Sequence, residues 1–577
     1  MRNKNKKGEH GLMEVLKPYV FSVVVLIILT VVANALSLAV PKIISNSIDS
    51  YSAGHFMLNA VLIKFLIIAV LILVFTYLQN ISQVYVSEKV ARNLRNQLSE
   101  KISTQTYAYI EKVTPEKLLT NLTADIDAVK SFVSQAIVSI ISSIFLIIGA
   151  SILLFITNWK LAIPVLLIIP VIGITFFYVL KKVRKLFLKT QEAIDWLNKV
   201  INESILGAAL IRLLNSREPE KKKFLAANTE ARNISLQILA LFSGLIPMIT
   251  FFTNVATIII VVLGGHYIIM GSMTLGSFTA FNSYLAILIF PILIIGFMSN
   301  VIASATASYG RIVQVLYAPD EKKHGKAKVL LTGQIDIQDI NLSFGQKSVL
   351  KNVSFSVEPG TKTAIIGPTG SGKTQLLYVL TGLLDSTSGS VLFDDVNVHE
   401  FDKENFHSQI GFVFQDSSIF NVTLRENIAF GDTVTDEYLE RAISSAELDG
   451  FIESLPDKLD TIVSERGSSL SGGQKQRIML ARALALNPRI LLLDDFTARV
   501  DTKTERAILS NVEKNYPNLT LISVTQKIAS VEHYDQIIVL DEGEIIAVGK
   551  HQDLLKTCPE YVQIYESQKS TSTYEEE

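Results

Sequence analysis

Three short stretches in the second half of the chain combine residue types that act on polyphosphates. The first is Gly367-Pro368-Thr369-Gly370-Ser371-Gly372-Lys373-Thr374. It follows a β-branched apolar run at 363–366 and precedes a helical pattern, the context in which a glycine-rich loop cradles phosphates. The glycines let backbone amides wrap the anion, and the helix N-terminus adds positive potential. Lys373 neutralises the β and γ phosphates of a nucleotide, and the Thr374 hydroxyl suits a magnesium ion. Chance gives this pattern in a chain of this length roughly 2% of the time. The second stretch is Arg489-Ile-Leu-Leu-Leu-Asp494-Asp495. It reads as a buried strand delivering a carboxylate, Asp494, to the sheet edge where nucleotide sites form, as a further magnesium ligand. An apolar strand ending in two acids is ordinary by itself; its place after the phosphate loop gives it meaning. The third is Leu470-Ser471-Gly472-Gly473-Gln474, leading into a helix at 475–486. A hydroxyl and two glycine amides at a helix start form an anion site. Since the first loop already cradles one set of phosphates, a second site implies a second nucleotide.

These stretches need an α/β scaffold, and the surrounding sequence supplies one. Short β-branched runs at 363–366, 410–414, 490–493, 519–524 and 536–540 alternate with helical segments, the pattern of a largely parallel core sheet. The first half has a different grammar. The chain has 577 residues, too many for one core, with 49% hydrophobic and 19% charged residues. No Asp, Glu, Lys or Arg lies between Arg232 and Arg311. The net charge of -1 hides this asymmetry, and nothing suggests nucleic-acid binding. The single cysteine, Cys558, excludes internal disulfides and offers no metal cluster.

A helix crossing a bilayer needs ~20 mostly apolar residues. Six runs qualify: 19–43, 60–83, 135–156, 161–180, 239–263 and 278–301. The basic N-terminus is followed by an apolar run longer than a signal-peptide core, read as a retained anchor. The segments 87–130 and 181–232 are long, charged and helical in pattern, whereas the links after runs one, three and five carry almost no charge. Lys and Arg accumulate on the cytoplasmic side, so both long segments and both termini are expected there, as stalks projecting tens of ångströms. The expected organisation is a six-helix membrane domain at 1–317, a linker at 318–330, a nucleotide-binding domain at 331–566 and a disordered polar tail at 567–577.

These residues resemble the ATP-binding-cassette exporters of the multidrug-resistance type over nearly the whole chain. The resemblance implies a type I exporter membrane domain fused to an α/β ATPase cassette, with ATP and Mg2+ as cofactors. Two cassettes then dimerise head to tail, each ATP lying between one phosphate loop and the other chain's Leu-Ser-Gly-Gly-Gln signature. It further implies that Phe344 stacks on adenine, that Gln415 senses magnesium and couples to the membrane domain, and that Asp501 is the acid of the loop beside the signature. Glu465-Arg466-Gly467 is similar to the short exporter motif before the signature. The cytoplasmic tips that transmit force fall near 111–118 and 202–208, the second docking on the partner's cassette.

Two positions depart from the family pattern. Where the family carries a glutamate that polarises the attacking water, this chain has Asp495, one carbon shorter, which draws the carboxylate back by about 1.5 Å; a misplacement of about 1 Å can cost ~100-fold in rate. Where the family carries a switch histidine, this chain has Gln526, whose neutral amide neither carries a proton nor bears charge. The segment Phe496-Thr-Ala-Arg-Val-Asp501 also differs from the family's small residues. The signature is intact. The expectation is therefore a heterodimer. This chain binds ATP with slow hydrolysis and lends its signature to a partner half-transporter that supplies the catalytic glutamate and the switch histidine. The substrate is expected to be a small amphipathic molecule, and Phe251, Phe252, Phe278, Phe281, Tyr284, Met248 and Met298 suit one, although most such residues face lipid or pack between helices. A homodimeric lipid or peptide exporter and an ATP-sensing regulatory membrane protein remain alternatives. The expected location is a bacterial plasma membrane.

Overall fold

The computed structural model describes residues 11–319 and 325–573 except positions 417 and 432. The described residues form two units, one of residues 11–104 and 113–319, the other of 105–112 and 325–573. The short segment Gln105–Lys112 thus belongs with the cassette rather than with the membrane domain, a correction to the contiguous boundaries expected from sequence.

The first unit is helical. Its long elements are Val20–Ser52, Leu58–Ser103, Ile137–Leu166, Ile168–Leu206, Arg217–Ile259 and Leu275–Leu316. Among the described residues five helical stretches are long and apolar enough to cross a membrane, and the longest, Pro115–Leu206, covers two expected spans. It breaks at Asn158, whose backbone is extended (φ -161°, ψ 103°). The Asn158 side chain accepts a hydrogen bond from the Leu161 amide at 3.2 Å, as a helix N-cap does. At ~1.5 Å per residue the 46-residue helix Leu58–Ser103 is about 70 Å long, more than twice a ~30 Å hydrocarbon core. The charged segments are therefore continuations of membrane helices.

Small residues and buried polar groups fix these helices against one another. A Cβ on Gly276 would lie 2.1 Å from the Ser45 carbonyl oxygen. Beside it Asp49 accepts from the Gly276 amide at 2.8 Å and from the Thr274 hydroxyl at 2.9 Å. Phe281 and Tyr284 are buried between helices, and the Tyr284 hydroxyl donates to the Leu38 carbonyl at 3.2 Å. Phe251 and Met248 are exposed on the membrane unit. In the helical extensions, buried Asp125 accepts from Arg311 Nε at 3.0 Å and from Asn121 Nδ2 at 3.0 Å, and Arg311 also donates to Ser308 at 3.0 Å.

The second unit holds two sheets. A four-stranded antiparallel sheet runs in the order β2-β1-β4-β5, from Ile335–Phe344 (β1), Lys347–Val357 (β2), Ser388–Phe393 (β4) and Val396–Asn397 (β5). A six-stranded sheet runs β10-β9-β3-β8-β7-β6, from Lys362–Ile366 (β3), Ile410–Val413 (β6), Ile490–Asp494 (β7), Thr520–Val524 (β8), Gln536–Asp541 (β9) and Glu544–Gly549 (β10). Its pairs are parallel except β9 with β10. Every residue of β7 and β8 is buried, which is why these strands read as mostly apolar runs without alternation. One core forms on each face, one around Leu491, Leu493 and Ile537, the other around Ile365, Leu492 and Ile538.

The helix Pro559–Thr573 continues into the stretch expected to be disordered; residues 574–577 lie outside the described residues. Tyr561, Ile564 and Tyr565 pack this helix on the cassette core, which explains why a polar composition still folds.

Candidate functional site

The phosphate loop forms where β3 meets the helix Lys373–Leu380. Gly372 has φ +101°, a conformation side-chain-bearing residues rarely adopt. A Cβ on Gly367 would lie 1.9 Å from the Leu540 carbonyl, so only glycine fits there. Lys373 is buried, and its ammonium donates to the carbonyls of Gly367 at 2.9 Å and Pro368 at 2.7 Å. Burial lowers its pKa, with Asp494 and Asp495 opposing. Pro368, Thr369, Gly370 and Ser371 complete the loop, Ser371 buried beneath it.

β7 delivers Asp494 beside this loop. Thr374 Oγ1 donates to Asp494 Oδ1 at 3.2 Å. The second oxygen, Oδ2, is buried without a hydrogen-bond partner in a side chain only 1% exposed. A buried anionic oxygen without a donor suits a cation, so Thr374 and Asp494 fit a magnesium ion. Such an ion would neutralise phosphate charge there. Burial holds the Asp494 carboxyl above the usual carboxylate range, reinforced by Asp495 and opposed by Thr374 and Lys373.

Asp495 sits in the left-handed region (φ 48°, ψ 38°), and its amide donates to the Val524 carbonyl at 2.9 Å. Burial raises its pKa, with Lys373 and Lys527 opposing. The structure thus brings Asp495 into the electrostatic neighbourhood of the phosphate-loop lysine. Gln526 follows β8, and its Nε2 donates to Thr369 Oγ1 at 3.3 Å. Both departures from the family pattern therefore stand around the same loop. Lys527, which sequence reasoning passed over, donates to the Thr497 carbonyl at 3.0 Å and ties the switch to the segment after Asp495.

The signature opens the helix Gly472–Ala485. Ser471 caps it, accepting from the Gln474 amide at 3.2 Å while Gln474 Oε1 accepts from the Ser471 amide at 2.8 Å. Gln474 is thus half of a capping box, and the amides of Gly472 and Gly473 remain at the helix start. The Arg499 side chain lies against Gly472, its Cδ 3.2 Å from where a Gly472 Cβ would stand, and the Arg499 carbonyl oxygen lies 3.0 Å from where a Gly473 Cβ would stand. Leu470 packs on the core.

The remaining expected residues sit on the surrounding elements. Asp501 caps Thr502–Asn515 by accepting from the Thr504 amide at 3.0 Å, which lowers its pKa. Gln415 follows β6, is exposed, and accepts through its carbonyl from Gln476 at 3.4 Å. Phe344 ends β1 and is 48% exposed at the turn into β2, and β2 in turn abuts Gly372 through Leu350. Tyr107, from the segment Gln105–Lys112, meets the Tyr378 ring edge-on at 5.4 Å. The first expected tip, 111–118, overlaps this segment at residues 111–112. The second expected tip, 202–208, falls at the end of the helix Ile168–Leu206, and a short helix, Ala208–Leu213, follows before Arg217.

Residues 23–292 match the family described as the ABC transporter transmembrane region, and residues 350–498 the one described as ABC transporter. The chain is 30% identical to an uncharacterised ABC transporter ATP-binding protein, YknU of Bacillus subtilis, over 96% of this chain and 95% of the relative. It is 30% identical to a probable multidrug resistance ABC transporter ATP-binding/permease protein, YheI of the same organism, over 96% of each. An ATP-dependent lipid A-core flippase of Syntrophus aciditrophicus is 27% identical over 96% and 94%. A structure of a bacterial Atm1-family ABC exporter with ATP bound superposes with TM-score 0.79 at 22% identity, covering 96% of this chain and 99% of that one. The chain belongs to the ABC transporters. It is an exporter-type half-transporter, a multi-pass membrane domain fused to an ATP-hydrolysing cassette.

Proposed function

We propose that this chain is the degenerate-site subunit of a heterodimeric exporter that moves small amphipathic molecules out of a bacterial cell. The observation that carries the reading is the placement of Asp495 and Gln526 around one phosphate loop, while the signature helix start keeps its capped geometry. ATP with Mg2+ then sits on Lys373, Thr374 and Asp494 with Phe344 against the base, and turns over slowly. Gln415 senses the metal, and Asp501 and the signature face the ATP of the partner half-transporter, which supplies a glutamate and a histidine. Both termini are cytoplasmic, and the tip near 202–208 docks on the partner's cassette.

Reconstitution with a second half-transporter carrying the complementary glutamate and histidine tests this. The pair hydrolyses ATP with a substrate-stimulated rate, and a Ser471→Arg substitution in this chain abolishes it. Equal rates with and without the partner contradict the reading. The second reading, a homodimeric lipid exporter, draws on the lipid A-core flippase relative. It requires robust turnover by this chain alone.

A further inference from the structure

The switch segment that carries Gln526 is held from outside by one side chain on the C-terminal helix. Gln568 Oε1 accepts from the Ile528 amide at 3.0 Å, and Gln568 Nε2 donates to the Gln526 carbonyl. The Gln568 amide thus pairs with both flanks of Lys527 as a neighbouring strand would. It also supplies the acceptor for the first amide of the short turn Ile528–Ser530, whose own cap residue makes no side-chain bond. The position is set by packing. Tyr561, Ile564 and Tyr565 anchor the helix on the cassette core, and Gln568 follows on the same stripe at the i, i+3, i+4, i+7 spacing. The amide of the half-buried Gln568 has a donor and an acceptor end, and here both ends meet switch backbone. The far side of the switch is fixed as well, by the Thr525 amide donating to the Ile365 carbonyl at 3.2 Å and by the Lys527 amide donating to Thr525 Oγ1 at 3.0 Å. Between these two clamps the Gln526 side chain reaches Thr369 of the phosphate loop.

We infer that Gln568 is a positioning residue of the ATP site: its amide fixes the backbone of the switch so that side chain 526 faces the phosphate loop. Truncation within the helix Pro559–Thr573 then acts on the ATP site without touching any motif.

The inference rests on the site being an ATP site, and its test separates it from the degenerate reading. In the full chain in lipid nanodiscs, Gln568→Met keeps length and packing and removes both hydrogen bonds. Gln568→Glu keeps the acceptor for Ile528 and removes the donor to Gln526. Hydrogen exchange at the Ile528 amide should rise about ten-fold in Gln568→Met and little in Gln568→Glu. The Kd for Mg-ATP should stay within about two-fold in both. In a chain also carrying Asp495→Glu and Gln526→His, Gln568→Met should lower kcat about ten-fold at unchanged KM. Unchanged exchange at Ile528, or a loss of affinity and melting temperature in step with kcat, overturns the positioning role. Absence of turnover in the doubly substituted chain would refute the degenerate reading, while the exchange at Ile528 still decides the role of Gln568.

Discussion

Gln526 and Thr369 are joined by a single side-chain hydrogen bond of 3.3 Å, which ties the switch segment to the phosphate loop. A neutral amide makes this bond as readily as an imidazole would. The bond therefore holds position 526 against the phosphate loop without a group there that can carry a proton.

Asp494 is arranged for a cation at the expense of stability. Its pKa is raised in the folded state, so the folded chain binds its proton more tightly than the unfolded chain does. Stability therefore falls as pH rises from the ordinary carboxylate value through the raised one. With metal chelated at pH 7, Asp494→Asn should raise the cassette's melting temperature, by the equivalent of roughly 1–3 kcal/mol. The same substitution should abolish turnover in the chain carrying Asp495→Glu and Gln526→His. A lowered melting temperature would contradict the assignment.

Phe344 stands half-exposed at the end of β1. If it stacks on the base, Phe344→Ala should weaken ATP binding about ten-fold, from the ~1–3 kcal/mol of a base–aromatic stack, and Phe344→Tyr should not. A fluorescent ATP analogue titrated against the full chain reads this, and equal affinities would place the base elsewhere.

The Arg311–Asp125 pair joins a half-exposed guanidinium to a carboxylate that is nearly fully buried. Arg311→Ala strands that carboxylate and should cost about 2–3 kcal/mol, below the ~3–5 kcal/mol of a fully buried pair because water screens the arginine. Adding Asp125→Ala should recover part of the loss in a thermal-unfolding double-mutant cycle. Strict additivity would mean the two residues are not coupled.

Gly276 touches the backbone of the first membrane helix, whereas Gly310 on the same helix has open space around it. Gly276→Ala should destabilise by about 1–3 kcal/mol and weaken the hydrogen bond to Asp49. Gly310→Ala should be neutral or slightly stabilising. Thermal unfolding in nanodiscs distinguishes the two, and equal shifts would remove the close-approach argument.

Most of the architecture was legible because it rests on long-period signals. Apolar runs of bilayer length, unbroken β-branched strands and the phosphate-loop pattern each follow from burial or from backbone geometry. The break between the third and fourth spans was visible only as a gap in hydropathy, and its cause, the capping side chain of Asn158, is local chemistry that a hydropathy window averages away. Gln105–Lys112 was assigned to the membrane half because sequence continuity does not report which core a short segment joins. Tyr107 could have flagged it, since an aromatic in a charged stretch needs an apolar partner, found here in Tyr378. The polar composition of 567–573 concealed the last turns of a helix whose anchors, Tyr561 and Tyr565, lie nearer its start. Asp495 and Gln526 were identifiable as departures from the family pattern, but their convergence on one loop depends on β7 and β8 being neighbours in the sheet.

ATP hydrolysis by the purified chain alone in lipid nanodiscs, beside the Asp495→Glu, Gln526→His double substitution, addresses the central claim most directly. The account predicts bound ATP with negligible turnover in the natural sequence, and turnover raised by about 100-fold or more in the substituted chain. Robust turnover by the natural chain would make it a self-sufficient homodimer and contradict the roles given to Asp495 and Gln526.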